Sequence, residues 1–402
     1  MPRPRAVALL AVPLLTLAAR STDVEGQGFP AGAALEVVAD VDTGYDGTGN
    51  TDRVVATMLD SAGEAVAVTS GAGVDSTIRL VRYGTGDEAV PVAAATGTIS
   101  AAAIAPDDTV VMLGDAETPG VIGTSAVIRV APDGTETAVP LQLSDADPIT
   151  SLSSTGIVFT PDASRVLLPD IPVSYDQGFP ELQGILQLSM VDTTSGVSTG
   201  YLGIRFSDPV ADVPGTTPPV TLGPVALAPD GSGAVTVTLA DGSWQLLRFD
   251  TAFQLVGDPV QLGTGSGWIS TDAAGTVYAV DAVPVGEDIA GAPVLAVRAG
   301  STEVETVGQV PAGVFQFAGM VADRAGTFLY LAGTSDLTDA GDFPMQVRAI
   351  DLASGAASSP VQLCAEGYLD PPRLTPDGAG VLIAAECNDA GLLQDRVYVL
   401  QP

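Results

Sequence analysis

The segment LAPDGSGAVTV at Leu227–Val237 decides how this chain folds, because it is an apolar strand, a tight acidic turn and a second apolar strand. In Ala-Pro-Asp-Gly the proline fixes φ at the first turn position, the aspartate bonds to nearby backbone donors, and the glycine accepts a positive φ. The same pattern occurs in six further segments. They are MLDSAGEAVAV (Met58–Val68), IAPDDTVVML (Ile104–Leu113), FTPDASRVLL (Phe159–Leu168), ISTDAAGTVYAV (Ile269–Val280), MVADRAGTFLYL (Met320–Leu331) and LTPDGAGVLIA (Leu374–Ala384).

The aspartates of these seven turns are 42 to 68 residues apart, which is typical of one four-stranded propeller blade. Each acidic turn is followed by a third strand, such as SWQLLRFD at Ser243–Asp250, and then by a fourth. The sequence therefore predicts an all-β, seven-bladed β-propeller in which the turn aspartates are structural. These residues are Asp60, Asp107, Asp162, Asp230, Asp272, Asp323 and Asp377.

Only six fourth strands follow the seven third strands, so the last blade needs a strand from elsewhere. ALEVVADVD at Ala34–Asp42 alternates apolar and polar residues before the first repeat. We expect it to pair beside the last third strand, Asp395–Pro402, and to close the ring. Closure protects edge strands that would otherwise pair with other chains.

With these repeats the chain resembles bacterial seven-bladed propellers of the WD40-like and PD40 class, including TolB-like and YVTN-like proteins. The resemblance covers residues 34–402 and concerns the architecture of the repeat. The Gly-His and Trp-Asp dipeptides of typical WD40 repeats do not occur as pairs in this sequence. The resemblance implies a propeller fold and leaves the activity open.

The N-terminus has the features of an export signal. Arg3 and Arg5 precede the apolar stretch Ala6–Ala19, whose length suits a signal peptide better than a membrane span. The following residues resemble a lipoprotein signal, but Arg20 occupies the position of the lipid-bearing cysteine. The expected mature chain is extracytoplasmic and has no transmembrane domain, and its anchoring stays open. The predicted organisation is a signal peptide at 1–20, a linker at 21–33 and the propeller at 34–402.

Charge and residue inventory exclude several classes of function. The formal net charge is −33, with 48 acidic residues against 15 arginines and no lysine or histidine. Such a polyanion repels nucleic acids and anionic lipid surfaces, whereas divalent cations and basic partners remain compatible. The inventory excludes Ser-His-Asp triads, imidazole metal sites, Schiff-base lysines and P-loops. Carboxylate chemistry on glycans and calcium binding remain.

A calcium site is one interpretation of the polar segment that follows the first strand. Acidic residues alternate there before a glycine, as in the calcium loops of EF-hand-like proteins, although Gly44 replaces one acid and the bidentate glutamate is missing. A plain polar turn is the alternative. The candidate ligands are Asp40, Asp42, Asp46, Asn50 and Asp52.

Cys364 and Cys387 are the two cysteines of the chain. An even count in an exported protein favours a disulfide, and both residues flank the first hairpin of the last blade. Two separate thiols in buried strands are the alternative.

Loops after the second and fourth strands of each blade gather at one end of a propeller, where functional residues are expected. The longest are Pro169–Gly184, Phe206–Pro219, Asp281–Ala292 and Gly333–Pro344. The candidate ligand face consists of Asp170, Tyr175, Asp176, Phe179, Glu181, Asp336, Asp339, Asp342 and Phe343.

Taken together, these observations predict an exported, monomeric and non-catalytic propeller that binds a protein or glycan partner in the cell envelope. A carboxylate-based glycan hydrolase or lyase acting in the channel is the first alternative, and a purely structural envelope protein is the second. For any ligand we expect contact with Pro169–Gly184 or Gly333–Pro344, and a preference for cationic or metal-bridged partners.

Overall fold

The computed structural model shows an all-β chain whose described elements are all strands. No helix among the described residues has the length and apolar character that crossing a membrane requires. The described residues are 35–42, 53–70, 77–82, 89–118, 121–142, 157–170, 185–205, 220–239, 241–281, 291–311, 316–335, 344–375, 378, 380–389 and 392–401.

The strands form seven antiparallel sheets, which are the seven blades of a β-propeller. From the innermost strand outward, blade 1 contains β2 (Arg53–Leu59), β3 (Ala65–Ser70), β4 (Ile78–Arg82) and β5 (Ala89–Pro91). Blade 2 contains β6 (Ala95–Ile104), β7 (Val110–Thr118), β8 (Val121–Val130) and β9 (Glu136–Pro140). Blade 3 contains β10 (Val158–Phe159), β11 (Arg165–Asp170), β12 (Ile185–Asp192) and β13 (Ser198–Arg205).

The remaining blades follow the same order. Blade 4 contains β14 (Val220–Leu227), β15 (Gly233–Leu239), β16 (Ser243–Phe249) and β17 (Val260–Thr264). Blade 5 contains β18 (Gly267–Thr271), β19 (Val277–Asp281), β20 (Pro293–Val297) and β21 (Glu305–Gln309). Blade 6 contains β22 (Gln316–Ala322), β23 (Phe328–Thr334), β24 (Met345–Asp351) and β25 (Val361–Cys364). Blade 7 contains β26 (Gly367–Leu369), β27 (Arg373–Leu374), β28 (Val381–Asp389), β29 (Leu392–Gln401) and β1 (Glu36–Asp42).

The core of the molecule is divided among the interfaces between blades. Seven clusters of buried apolar side chains occur, one at each interface, including the one between blades 7 and 1. The cluster between blades 7 and 1 is the smallest and joins Leu59, Ala65 and Ala67 to side chains of β28 and β29. Each sheet is therefore apolar on both faces, and each blade depends on both neighbours for its burial.

Blade 7 takes its outermost strand from the beginning of the described chain. β1 runs antiparallel to β29, with register from Glu36 opposite Gln401 to Asp42 opposite Arg396 and one irregularity after Val37. Leu35, just before β1, is buried in the cluster between blades 6 and 7. This is the pairing that the sequence predicts.

A disulfide joins Cys364 to Cys387, with 5.7 Å between their Cα atoms, so the predicted bond is confirmed. Cys364 ends the outermost strand of blade 6, and Cys387 lies in the second strand of blade 7. The Tyr398 hydroxyl of β29 donates a hydrogen bond to the Leu363 carbonyl of blade 6 at 3.0 Å. Covalent and hydrogen-bonded links therefore hold blade 7 to blade 6.

The acidic turns are structural, as predicted, and they are of two kinds. Where proline precedes the aspartate, the aspartate is the third residue of the turn and is exposed, as at the described Asp107, Asp162 and Asp230. In the turn at Ala228–Gly231, the Gly231 amide donates to the Ala228 carbonyl, and Gly231 has φ of +86°. The Asp230 carboxylate accepts from both the hydroxyl and the amide of Ser232. Both bonds lower the pKa of Asp230, and the bond from the Ser232 hydroxyl has the larger effect.

Where proline is missing, the aspartate is the first residue of the turn and is buried. Asp272 is 4% exposed, and its carboxylate accepts from the amides of Ala274 and Thr276, both at 2.9 Å. It also accepts from the buried Tyr278 hydroxyl at 3.0 Å. Asp60 and Asp323 are also buried first residues of their turns, and each accepts from two following backbone amides. Proline therefore selects which of two turn positions the aspartate occupies.

Arginines of two third strands, Arg248 and Arg129, donate hydrogen bonds to oxygen atoms of the next blade. Arg248 of blade 4 donates to the Val297 and Ser301 carbonyls of blade 5, both at 2.7 Å. Arg129 of blade 2 donates to the Thr193 hydroxyl of blade 3 at 3.1 Å. The planar guanidinium suits such multiple bonds better than an ammonium group.

The strand order gives the propeller two ends. The end that carries the acidic turns is called the turn face. The opposite end is called the loop face, and the second strands of the blades finish there. Those last residues are Ser70, Thr118, Asp170, Leu239, Asp281, Thr334 and Asp389.

Removing β1 should destabilise the whole ring. A chain that begins at residue 43 loses the ladder along β29 and the burial of Leu35, which together contribute roughly 3 kcal/mol or more. Its exposed β29 edge should also promote aggregation. We expect a lower melting temperature by calorimetry than for chains that begin at residue 21 or 34. Equal melting temperatures in all three chains would show that β1 is dispensable.

Candidate functional site

A cleft opens on the loop face between blades 4 and 5. Its volume is about 240 Å³. Blade 4 supplies part of its wall from β14 and β15, and blade 5 supplies the remainder from the start of β18. The lining residues are Leu222, Gly223, Pro224, Thr238, Ser266, Gly267 and Trp268. Apolar side chains and two hydroxyls thus converge, as is typical of small-ligand sites.

A β-bulge shapes the blade 4 wall of this cleft. The register of β14 against β15 shifts between Leu222 and Val225, so Gly223 and Pro224 together oppose Thr236. A side chain on Gly223 would collide with the Thr236 hydroxyl oxygen. That hydroxyl is fully buried and has no hydrogen-bond partner among the described residues. Bulges of this kind re-aim strands next to binding sites.

The blade 5 wall is aromatic. Trp268 is half-buried and stands edge-to-face with Phe317 of blade 6, with 6.1 Å between the ring centroids and 74° between the ring planes. Trp268 is therefore fixed from the side of blade 6 while it lines the cleft on the side of blade 4. An aromatic ring in this setting can bind a cation or the face of a sugar ring.

Asp281 adds a carboxylate beside the cleft. It pairs with Gly267 across β18 and β19, and a Cβ atom on Gly265 would lie 3.2 Å from its Oδ1 atom. No hydrogen bond or ion pair joins Asp281 to the described residues. Burial raises the pKa of Asp281 above its ordinary value of 3.8. A half-buried acid without a partner is energetically unfavourable for folding and is a mark of functional sites.

Turn-face acids differ from Asp281 in their partners. Asp323 is buried and its pKa is also raised by burial, yet the amides of Thr327 and Phe328 donate to its carboxylate. Asp107 accepts from the Thr109 amide, and this bond lowers its pKa. Hydrogen bonds from within the turn thus explain why these acids occupy their positions. Asp281 receives no such bonds from the described residues.

Most of the predicted ligand face lies outside the described residues. Asp170 is described, and it ends β11 opposite Gln187 rather than lying in a loop as predicted. The ladder continues past Pro169, because a missing amide removes at most one of its bonds. The predicted residues outside the described part are Tyr175, Asp176, Phe179, Glu181, Asp336, Asp339, Asp342 and Phe343.

The calcium site stays a prediction. Asp40 and Asp42 lie in β1, opposite Tyr398 and Arg396 of β29. The other candidate ligands, Asp46, Asn50 and Asp52, lie outside the described residues. Within the described part of the chain, no group of three or more Cys, Asp or Glu side chains could hold a metal ion.

Fold and site define the molecule as a seven-bladed β-propeller with a cleft on its loop face, and solved structures share this fold. A virginiamycin B lyase from Staphylococcus aureus, solved as a catalytically inactive histidine-to-alanine variant with quinupristin, is 9% identical. The alignment covers 92% of this chain and 100% of that one, with a TM-score of 0.50. A structure from a study of two prolyl endopeptidases is 14% identical, with a TM-score of 0.52. That alignment covers 86% of this chain and 47% of the other, so the chain spans about half the length of that structure.

These similarities concern the fold alone. No family model matches the chain, and no curated protein matches it. The resemblance to WD40-like and PD40 repeats therefore stays a prediction.

The sequence predicts Asp281 in a long loop, whereas Trp268 is not among the predicted site residues. A usable signal is the residue four positions before each turn aspartate, which is small or aliphatic in five of the seven repeats. Only Trp268 and Arg373 depart from that pattern. The seven residues at this position are Ala56, Ala103, Val158, Ala226, Trp268, Gly319 and Arg373.

Replacing Asp281 by asparagine should stabilise the protein at pH 7. The folded-state pKa is raised, so the ionised carboxylate destabilises the fold above that pKa and has no effect below the unfolded value near 3.8. We expect the melting temperature of Asp281→Asn to rise by roughly 1–3 °C at pH 7. The gain should disappear as the pH falls toward 3.8.

Asp230→Asn is the matched control, and we expect it to change the melting temperature in the opposite direction. Its folded-state pKa is lowered, so its carboxylate contributes stability above the unfolded value and loses it as the pH falls through the folded value. Asparagine should therefore lower the melting temperature at pH 7. A loss of stability in Asp281→Asn at pH 7 would mean that Asp281 has a structural partner.

Proposed function

We propose that the protein is an exported, non-catalytic binding module whose loop face holds a cationic group of a protein or glycan partner. The observation that carries this proposal is Asp281, a half-buried carboxylate that has no partner among the described residues and lies beside the aromatic wall at Trp268. A cation in the cleft would pair with Asp281 and would also interact with the indole ring. The desolvation of Asp281, unfavourable for folding, would then be offset in the complex.

The size of the cleft indicates that it takes one group of a larger ligand. A volume of about 240 Å³ is below the roughly 300–1,000 Å³ of pockets that enclose whole small molecules. An ammonium group with its substituents, an arginine side chain or one amino-sugar ring would fit this space. The surrounding loop face would supply the remaining contact area.

Net charge supports a cationic partner. A formal charge of −33 attracts cations over distances of about 8 Å at physiological ionic strength and speeds their encounter with the protein. The long-range field supplies no specificity, so the cleft would have to select among basic partners. Binding should weaken with added salt for the same reason.

The disulfide between Cys364 and Cys387 supports an oxidising, extracytoplasmic location. It agrees with the signal peptide proposed for residues 1–20 and with the cell envelope as the place of action. A monomer with one ligand face is the simplest form of such a module.

The alternative function, a carboxylate-based glycan hydrolase or lyase, is favoured by the same residue. A carboxyl group with a raised pKa can act as a general acid, and such enzymes use paired acids. Turnover of glycans that Asp281→Asn abolishes would establish the enzyme. We expect no turnover of glycans, lactones, esters or phosphoesters, since the proposal requires binding alone.

The cleft is tested with choline and its uncharged isostere 3,3-dimethyl-1-butanol. The chain contains two tryptophans, so the indole region of a nitrogen–proton correlation spectrum holds two signals. Trp268 lines the cleft, whereas Trp244 is 1% exposed and is not among the lining residues, so a bound probe should shift the Trp268 signal more. We expect choline to shift the Trp268 signal in a saturable way, and the isostere to shift it at least tenfold more weakly.

The matched variant for this experiment is Asp281→Asn, which keeps the shape of the side chain and removes its charge. It should bind both probes equally weakly. Equal shifts by the two probes in the unaltered protein would contradict a cation site. Loss of selectivity in Asp230→Asn as well would attribute the effect to net charge instead of the cleft.

A further inference from the structure

Arg373 reaches across the central channel. It is the first residue of β27, and β26 and β27 are the two pieces of the interrupted inner strand of blade 7. Its Nη1 atom donates to the Ala102 carbonyl oxygen at 3.4 Å. Ala102 lies on β6, the inner strand of blade 2. Blade 1 separates these two blades in the ring, so this hydrogen bond places the guanidinium inside the channel.

The guanidinium is accessible but enclosed. The side chain of Arg373 is exposed to solvent, and yet burial among surrounding protein atoms lowers its pKa. A group that projects into the central channel can be reached by solvent and still be surrounded by protein atoms, so the two observations agree. Asp370, in the break between β26 and β27, opposes this effect and raises the pKa of Arg373.

Hydrogen-bonding capacity is left over at Arg373. A guanidinium carries five N–H donors. One bond joins Arg373 to the described residues, and its length of 3.4 Å is beyond the usual range of N–H···O bonds. An enclosed guanidinium whose remaining donors meet no acceptor among the described residues can bind carboxylate and phosphate oxygens.

The channel wall differs in charge from the rest of the molecule. The described inner strands β2, β6, β10, β14, β18, β22, β26 and β27 contain no aspartate or glutamate. Arg53 and Arg373 are their only charged residues. In a protein with a formal charge of −33, these described inner strands thus carry arginines and no acid, and Asp370 lies in the break between β26 and β27.

We propose that the channel binds a small oxyanion, a carboxylate or a phosphate group, on the guanidinium of Arg373. The anion would replace water at the free N–H donors and would accept two parallel hydrogen bonds. This site is separate from the blade 4–5 cleft in position and in the sign of its ligand. The two proposed sites use different residues, so each can be tested independently of the other.

The test measures melting temperature against concentration of sodium acetate, sodium phosphate and sodium chloride at equal ionic strength. Screening of the net charge stabilises the protein equally in all three salts. Binding adds a saturable rise that follows the free anion concentration. We expect such a rise with acetate or phosphate beyond that with chloride. Identical curves in the three salts would overturn the proposal.

Arg373→Gln should weaken the apparent affinity for the oxyanion at least tenfold. The control is Arg298→Gln, which removes an exposed arginine that pairs with Glu305 at 3.0 Å on the turn face. The control should keep the affinity of the unaltered protein. Equal loss in both variants, or no loss in Arg373→Gln, would reject Arg373 as the binding group.

A second variant covers the case in which Arg373→Gln does not fold. Arg373→Lys keeps the positive charge and removes the planar pair of donors. It should fold and bind the oxyanion severalfold more weakly than the unaltered protein. An affinity equal to that of the unaltered protein would show that the guanidinium does not hold the anion. Comparing the apparent affinities for acetate and for phosphate shows which oxyanion geometry the channel prefers.

Discussion

Apolar packing between neighbouring blades is the constraint on which the whole structure depends. Each sheet is apolar on both faces, so a blade is buried only when both of its neighbours are present. The seam between blades 7 and 1 has the smallest apolar cluster. Two further devices act on blade 7, namely the β1 strand along β29 and the disulfide from Cys364 to Cys387. Both devices therefore act on a blade that adjoins the seam with the smallest apolar cluster among the described residues.

The aspartates of the chain serve two purposes that their hydrogen bonds distinguish. On the turn face, carboxylates such as those of Asp230 and Asp272 accept bonds from amides and hydroxyls of their own turns. On the loop face, Asp281 is half-buried, and no described residue donates a hydrogen bond to its carboxylate. The first kind stabilises the ring, and the second kind leaves binding capacity for a ligand.

The sequence predicted the fold because the evidence for it is local and repeated seven times. The turn and the flanking apolar strands follow from neighbours in the chain, and the pairing of β1 with β29 follows from counting six fourth strands for seven blades. Even the disulfide could be predicted, since the chain has two cysteines. One detail was missed, namely that proline sorts the turns into those with exposed and those with buried aspartates. Asp272 and Asp230 appeared equivalent by pattern alone.

The cleft and the channel could not be predicted in the same way, because they arise between residues of different blades. Trp268 lines the cleft together with Thr238 of blade 4, and Arg373 meets Ala102 of blade 2. Separation along the chain gives no measure of these distances. Burial of Asp281 is likewise a property of the folded ring, since the sequence shows only an acid at the end of an apolar strand.

Asp281 is a half-buried carboxylate with no partner among the described residues, and the proposed function depends on this group being held for a cationic ligand. Carbon NMR of the aspartate carboxyl groups, titrated with pH and assigned with Asp281→Asn and Asp230→Asn, measures it most directly. The account predicts that Asp281 titrates above the ordinary value of 3.8 and Asp230 below it. Saturation with choline should then lower the Asp281 value. An Asp281 that titrates at or below 3.8 in the free protein would contradict the account.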